Sequence, residues 1–417
     1  MSTISKRSFA RGYSLILHSC ITYIVYTTIA GAGLNTIVPF FCAKTGLQEA
    51  LVTSINTVGG ILACIAVFFI TKLIAKKGPR IVTVVSFILM GFMMFFLAYG
   101  GSLLIYVIFA IATQVASHGY CFASTSTLIT NWYPRTKGWV MGWTTTGLLI
   151  ATPTGVAFIS AALPSIGFTA TMNIIGVFLI AFGILSWFWI RNTPEECGLL
   201  PDNKPITEED RYLLEPLPAN QAWKSSEILL KKSTFLIILS MGLAALCSTG
   251  IALITIPVMI ELGFTRMEAV GIHTITGLLS CVGSVFLGWT DTKFGTKKSL
   301  LIVLAAYIIG FFGTFYCKSV PGVIAFVVIA SIFSGGYQNL FASLVGTMYG
   351  RNGFACAWGV INTGASLLRA LVFLCIGIAI QTMGGYKGVT LLFGIACIIS
   401  VILFIPADCA YQEPRQK

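Results

Sequence analysis

The sequence predicts an all-α membrane protein, with twelve transmembrane helices in two pseudo-symmetric halves of six. Three observations carry that expectation. The 417-residue chain is 56% hydrophobic and only 10% charged, where a soluble domain carries about 25% charged residues. Its apolar residues come in blocks, such as "IVTVVSFILMGFMMFFLAYGG" and "GVTLLFGIACIISVILFI", close to or above the roughly 20 residues a helix needs to cross a bilayer. Short motifs also return at one fixed spacing.

Blocks between charge clusters place the spans at 14–41, 49–74, 79–99, 102–131, 137–163, 167–190, 233–260, 267–290, 297–317, 320–348, 353–381 and 387–407. The runs are continuous and do not alternate, so they read as helices and not as barrel strands. The N-terminal "MSTISKRSFARG" precedes an apolar run that is too long for a signal peptide and lacks a small-residue cleavage site. It reads as a retained first helix. Between the sixth and seventh spans, residues 192–232 are polar and hold eight of the fourteen acidic residues, as in "TEEDRYLLEP", with Pro201, Pro205, Pro216 and Pro218. This segment reads as a cytoplasmic linker with room for one amphipathic helix, between halves at 1–191 and 233–417.

A net charge of +12 would fit nucleic acid in a soluble chain. Here the positive-inside rule accounts for it, and no nucleic-acid partner is expected. With both termini cytoplasmic, 21 of the 26 Lys and Arg fall on the inner side, including Lys6, Arg7, Arg11, Lys76, Arg80, Arg135 and Lys297. Lys44, Arg266, Lys318 and Lys387 fall outside, and Arg369 falls in neither place. The twelve cysteines are scattered without a Cys-x-x-Cys pair and read as small packing residues. No metal site or cofactor is expected.

The repeat shows at three places, all at one offset, the spacing from Tyr120 to Tyr337. "SHGY" ending at Tyr120 faces "SGGY" ending at Tyr337. Gly78 in "TKLIAKKGPR" faces Gly295 in "GWTDTKFGTKK". "GWTTTG" from Gly142 faces "GVINTG" from Gly359. The halves therefore read as parallel repeats, a layout that resembles the major facilitator superfamily of transporters, whose site lies near the membrane midplane between the halves. The superfamily's Gly-x-x-x-Asp-Arg/Lys-x-Gly-x-Arg/Lys loop is present in part. The first copy keeps Lys76, Gly78 and Arg80, with Thr71 for glycine and Ala75 for aspartate. The second keeps Gly288, Lys293, Gly295 and Lys297, with Asp291 one place early and Thr292 at the acidic position.

Two stretches narrow the resemblance. "NWYPRTKGWVMGWTTTG" and "RNTPEECGLLPDN" are similar to runs in the oxalate–formate antiporter and monocarboxylate transporter families. Those families often carry an arginine in the eighth span where this chain has Ser284. The resemblance therefore implies a carboxylate carrier with one gripping cation fewer, which argues against a doubly charged substrate.

No Asp or Glu falls mid-span, whereas Arg369 lies near the middle of its predicted span, 353–381. That puts it roughly 18 Å or more from either interface, too deep to snorkel, so it must face protein or water. Either it caps carbonyls at a helix break, or it binds an anionic substrate; the missing acidic partner favours the second. His118, with Gln114 one turn away, reads as a substrate donor or proton carrier, or as a packed histidine bonded to a carbonyl. Tyr120 and Tyr337 read as symmetric phenols facing each other across a cavity, or as aromatic packing. Gln338 shares a face with Ser334, and Asn35, Asn56 and Asn362 are further polar candidates. His18 and His273 are expected at the interface.

The function expected is secondary transport of small organic anions by alternating access, as exchange or uniport, by a monomeric multi-pass protein of the cell membrane. Proton-coupled symport through His118 and efflux of drug-like molecules are the alternatives. No Ser/His/Asp set, metal cluster or phosphate loop suggests an enzyme.

Overall fold

The computed structural model describes residues 6–205 and 223–412, with side chains from Gly12 onward. The acidic run 207–216, Pro218 and the side chains of Lys6, Arg7 and Arg11 lie outside the described residues. Among the described residues every regular element is helical. Of the linker, the described part holds the short turns Glu195–Cys197 and Pro201–Asn203 and the short helix Ser225–Leu229.

Among the described residues, eleven helical runs are long and apolar enough to cross a membrane. The tenth, Val320–Met383, is 64 residues long and holds the two spans predicted at 320–348 and 353–381. They meet at Gly350, whose φ of 61° a residue with a Cβ adopts only at a cost. The runs thus hold the twelve predicted crossings. Large apolar side chains such as Phe69, Phe188, Val282 and Phe373 are more than half exposed, as suits hydrocarbon and not water.

The chain divides into two compact units: residues 1–135, 144–217 and 351–359, and residues 136–143, 218–350 and 360–417. The repeat is visible in the backbone. Glycines with positive φ end helices at Gly46 and Gly263 (74° and 92°), Gly78 and Gly295 (81° and 85°), and Gly167 and Gly384 (82° and 79°). Each pair is separated by the same offset as Tyr120 and Tyr337. The core of the first unit includes Phe41, Phe87, Met90, Phe109, Tyr120 and Met172.

Several spans are not continuous helices. In the first unit, span one stops at Ile29 and restarts at Ala32. Span four carries a π-helical turn at Gly119–Ser124, and span five carries another at Thr152–Val156, around Pro153. In the second unit, span eleven stops at Arg369 and restarts at Val372. Proline accounts for the third of these, since it lacks an N–H and clashes with the preceding turn.

Candidate functional site

In the first unit the break in span one and the π turn in span four are neighbours. The Ala30 and Gly31 N–H groups both donate to the Tyr26 carbonyl, at 2.8 and 3.0 Å. The Gln114 side-chain amide donates to the Ala30 carbonyl at 3.2 Å. Gln114 therefore caps the interrupted helix, supplying a donor that the broken ladder has lost. Its own carbonyl lies 2.9 Å from His118 Nδ1. A carbonyl can only accept, so Nδ1 carries the proton and Nε2 is left as the basic nitrogen.

Beyond His118 the π turn leaves the Tyr120 carbonyl outside the regular ladder, and the Thr125 hydroxyl donates to it at 2.9 Å. Such single π turns are frequent at functional sites. The Tyr120 ring is fully buried and stacks on Phe87 at 4.2 Å between centroids. Its hydroxyl has no hydrogen-bond partner among the described residues; the nearby Ser117 hydroxyl is turned to the Met90 sulfur. Asn35 is exposed on the second helix of span one. Asn56 accepts from the Tyr106 phenol at 2.8 Å.

In the second unit Arg369 is half-buried and is the last residue of its helix segment. Helix carbonyls at that end favour a cation. The break is closed by backbone bonds, from Ala370 N–H to the Ser366 carbonyl and from Leu371 N–H to the Leu368 carbonyl. Arg369 itself makes no hydrogen bond or ion pair among the described residues. It lies within electrostatic range of the Tyr337 phenol, so two of the proposed residues are brought together. That phenol is buried and donates to the Met241 carbonyl. Gln338, half-buried, has no hydrogen bond among the described residues. Both tyrosine rings are thus enclosed within their own units.

Ser284, at the position where the related families carry arginine, is buried. It donates to the Gly142 carbonyl at 3.1 Å and accepts from the Asn339 amide at 2.6 Å. Asp291 is buried as well and accepts from the Ser343 hydroxyl at 2.6 Å. Its carboxylate lies against Gly138, where an added Cβ would collide with it. This places a negative charge in the first turn of helix Lys137–Thr144, which the helix dipole favours.

His18 is buried, 2.8 Å from the Ser186 hydroxyl and stacked on Phe182. Sequence reasoning missed the loop after span six. There Glu195 receives both guanidinium nitrogens of Arg351, at 2.8 and 2.9 Å, and Asn192, Arg191 and Asp202 accept from Asn131, Trp132 and Arg135. The signal was present in "RNTPEECGLLPDN", whose turn residues fix the loop that presents Glu195.

The sequence profile of the Major Facilitator Superfamily matches residues 19–373 and 245–415. Monocarboxylate transporter 12 of Rattus norvegicus is 26% identical over 172 residues, 39% of this chain and 34% of that protein. The chain thus spans about a third of the length of this curated relative. Among solved structures, the human organic anion transporter MFSD10 (TETRAN) superposes with a TM-score of 0.69 at 11% identity, covering 97% of this chain and 100% of that one. The proton:xylose symporter XylE superposes with a TM-score of 0.73 at 14% identity, covering 94% of each. These likenesses carry the fold.

Proposed function

Since the chain belongs to the major facilitator superfamily, and is therefore a membrane transporter and not an enzyme, we propose that it carries small organic anions by alternating access. One observation carries this reading. Arg369 sits deep in span eleven with no carboxylate or carbonyl engaging its guanidinium among the described residues. A charge inside a membrane span without a partner is costly, and an anionic substrate completes it. The local similarity to a monocarboxylate transporter supports a carboxylate as that anion. Gln338, half-buried in the same unit, is the polar group proposed to assist. The tyrosines are proposed to hold the helices, their phenols being buried.

The transport mode we propose is anion exchange or uniport. Proton symport needs a titrating group inside the membrane. No acid lies mid-span among the described residues, and arginine does not release its proton in the physiological range. Histidine-coupled symport is a second reading, favoured by one observation: span four buries a histidine, His118, whose Nδ1 proton is held by the Gln114 carbonyl.

The test is counterflow in proteoliposomes loaded with a panel of monocarboxylates and, separately, of lipophilic cations. Accumulation of labelled carboxylate against the loaded pool is the expected result. Counterflow of the cations alone would replace this reading with drug efflux.

A further inference from the structure

Two guanidinium groups of the first unit meet where span six ends, on the side of the linker. Arg80, at the start of span three, donates to the Trp187 carbonyl from Nε at 2.8 Å and from Nη2. Its guanidinium lies 4.0 Å from the centroid of the Trp187 ring. Arg191 donates from Nη1 alone, to the Trp187, Phe188 and Ile190 carbonyls at 3.2, 3.4 and 3.1 Å. Its Nε and Nη2 make no hydrogen bond among the described residues. The two like charges lie within electrostatic range of each other, an arrangement that costs energy unless an anion answers it. The chain supplies little. No Asp or Glu occurs from residue 50 to residue 194. The acid in range of Arg80 is Glu196, which is exposed and accepts from the Asn192 N–H at 3.3 Å. Lys76 and Lys77, both exposed, add positive charge just before Arg80.

A cation at this helix end belongs to the fold, but the second arginine does not. One repeat offset later, Arg80 is replaced by Lys297 and Arg191 by Asp408. Lys297 alone donates to the Ile405 and Ala407 carbonyls, at 2.9 and 2.8 Å. These are the equivalents of the Phe188 and Ile190 carbonyls that Arg191 serves. A helix C-terminus favours a cation of this kind. The second unit therefore closes the same helix end with one cation beside an acid, where the first unit places two cations.

Arg191 also lines a cleft of about 40 Å³, with Leu15, Trp132, Phe188 and Cys197 among its walls. That volume takes about three water-sized groups, enough for the free oxygens of a phosphodiester. Phe188 is 69% exposed, and Trp187 and Leu185 beside it are exposed as well, an apolar wall suited to hydrocarbon with a tryptophan at the span end. We infer that Arg80 and Arg191 form a site for the phosphate of an anionic phospholipid whose acyl chain lies along Phe188. A zwitterionic headgroup would bring its own cation to two guanidinium groups and is disfavoured. The site does not involve Arg369 and stands apart from the substrate reading.

The experiment is native mass spectrometry of the full-length protein in detergent, titrated with phosphatidylglycerol and, separately, with phosphatidylcholine of the same acyl chains. Wild type is expected to prefer phosphatidylglycerol by roughly tenfold or more, and Arg191→Gln to lower that preference about fivefold, the scale of one basic residue at an anionic surface. Arg191→Asp, which copies the second unit, should abolish it, and Arg191→Lys should retain most of it. Lys77→Gln removes an exposed charge that does not line the cleft and should change it less than twofold. Equal losses from Lys77→Gln and Arg191→Gln would replace the site with diffuse surface attraction. No preference in wild type, or competition by inorganic phosphate as effective as by the lipid, would overturn it. Thermal unfolding without added lipid shows which variants fold. If Arg191→Gln does not, Phe188→Ser on the exposed wall decides: it should weaken phosphatidylglycerol binding by roughly fivefold, and unchanged binding would overturn the site.

Discussion

Thr152 and Arg369 occupy the same place in the repeat, separated by its fixed offset, and the chain interrupts its helix at both. At the first, a π turn around Pro153 is tied down locally. Val156 N–H donates to the Ala151 carbonyl at 2.9 Å, and the Thr154 hydroxyl donates to the Ile150 carbonyl at 2.6 Å. At the second, backbone bonds close the break while the residue equivalent to the small Thr152 is an arginine that none of those bonds uses. The interruption belongs to the fold, since both units have it. The charge belongs to one unit only, and that asymmetry points to function.

The comparison can be broken most forcefully at Gly138. Its equivalent in the first unit is Ala355, so the repeat tolerates a Cβ there. In the second unit the Asp291 carboxylate occupies the space. Gly138→Ala is expected to destabilise by about 3 kcal/mol, as overpacking does, while Ala355→Gly should cost about 1 kcal/mol, the helix-propensity difference alone. Thermal unfolding in detergent measures both. A neutral Gly138→Ala would remove Asp291 from this account.

The tyrosine pair should give a smaller contrast. Tyr337→Phe removes the bond from the buried phenol to the Met241 carbonyl and is expected to cost about 1 kcal/mol. Tyr120→Phe removes a hydroxyl without a partner among the described residues and should be neutral or slightly stabilising. Equal losses in the two variants would contradict the packing described.

Glu195 comes next. Burial would raise its carboxyl, but hydrogen bonds from Arg351 and the charge of that guanidinium hold it below the ordinary value of 4.5. A carboxylate with a depressed folded-state pKa stabilises above the ordinary value, and that contribution is lost as pH falls through the depressed one. Glu195→Gln should therefore cost about 1 kcal/mol near neutral pH, as for a well-aligned but half-exposed pair. The gap to wild type should close progressively below about pH 4.5. A gap that persisted in acid would mean the pair is not its source.

The smallest effect expected is that of protons on transport. Homologous anion exchange should change less than about twofold between pH 6 and 8 and survive an uncoupler. Uphill uptake driven by an imposed proton gradient, and abolished by His118→Gln, would establish the histidine-coupled reading.

The twelve crossings and the repeat were legible because apolar length and recurring Gly-Tyr and Thr-Gly pairs are local signals. The break beside Pro153 was legible in principle for the same reason. The interruption after Arg369 was not, because "LLRALV" contains neither glycine nor proline and is helix-favouring throughout. The π turn at Gly119–Ser124 was equally hidden, since it depends on the Thr125 hydroxyl and on packing against other spans. Depth in the membrane singled out Arg369, but spacing alone could not say whether a phenol points to a cavity or into a core. That is why Tyr120 and Tyr337 were chosen by symmetry and then found enclosed.

The central claim is that Arg369 is the cation that receives the substrate. Equilibrium binding of a transported carboxylate to purified wild type, Arg369→Lys and Arg369→Ala tests it most directly. Lysine keeps the charge and loses the planar fork, so affinity should fall in part, by roughly tenfold, and in alanine by a further tenfold or more, with all three proteins inserted and folded. Wild-type affinity in the folded alanine variant would contradict the account.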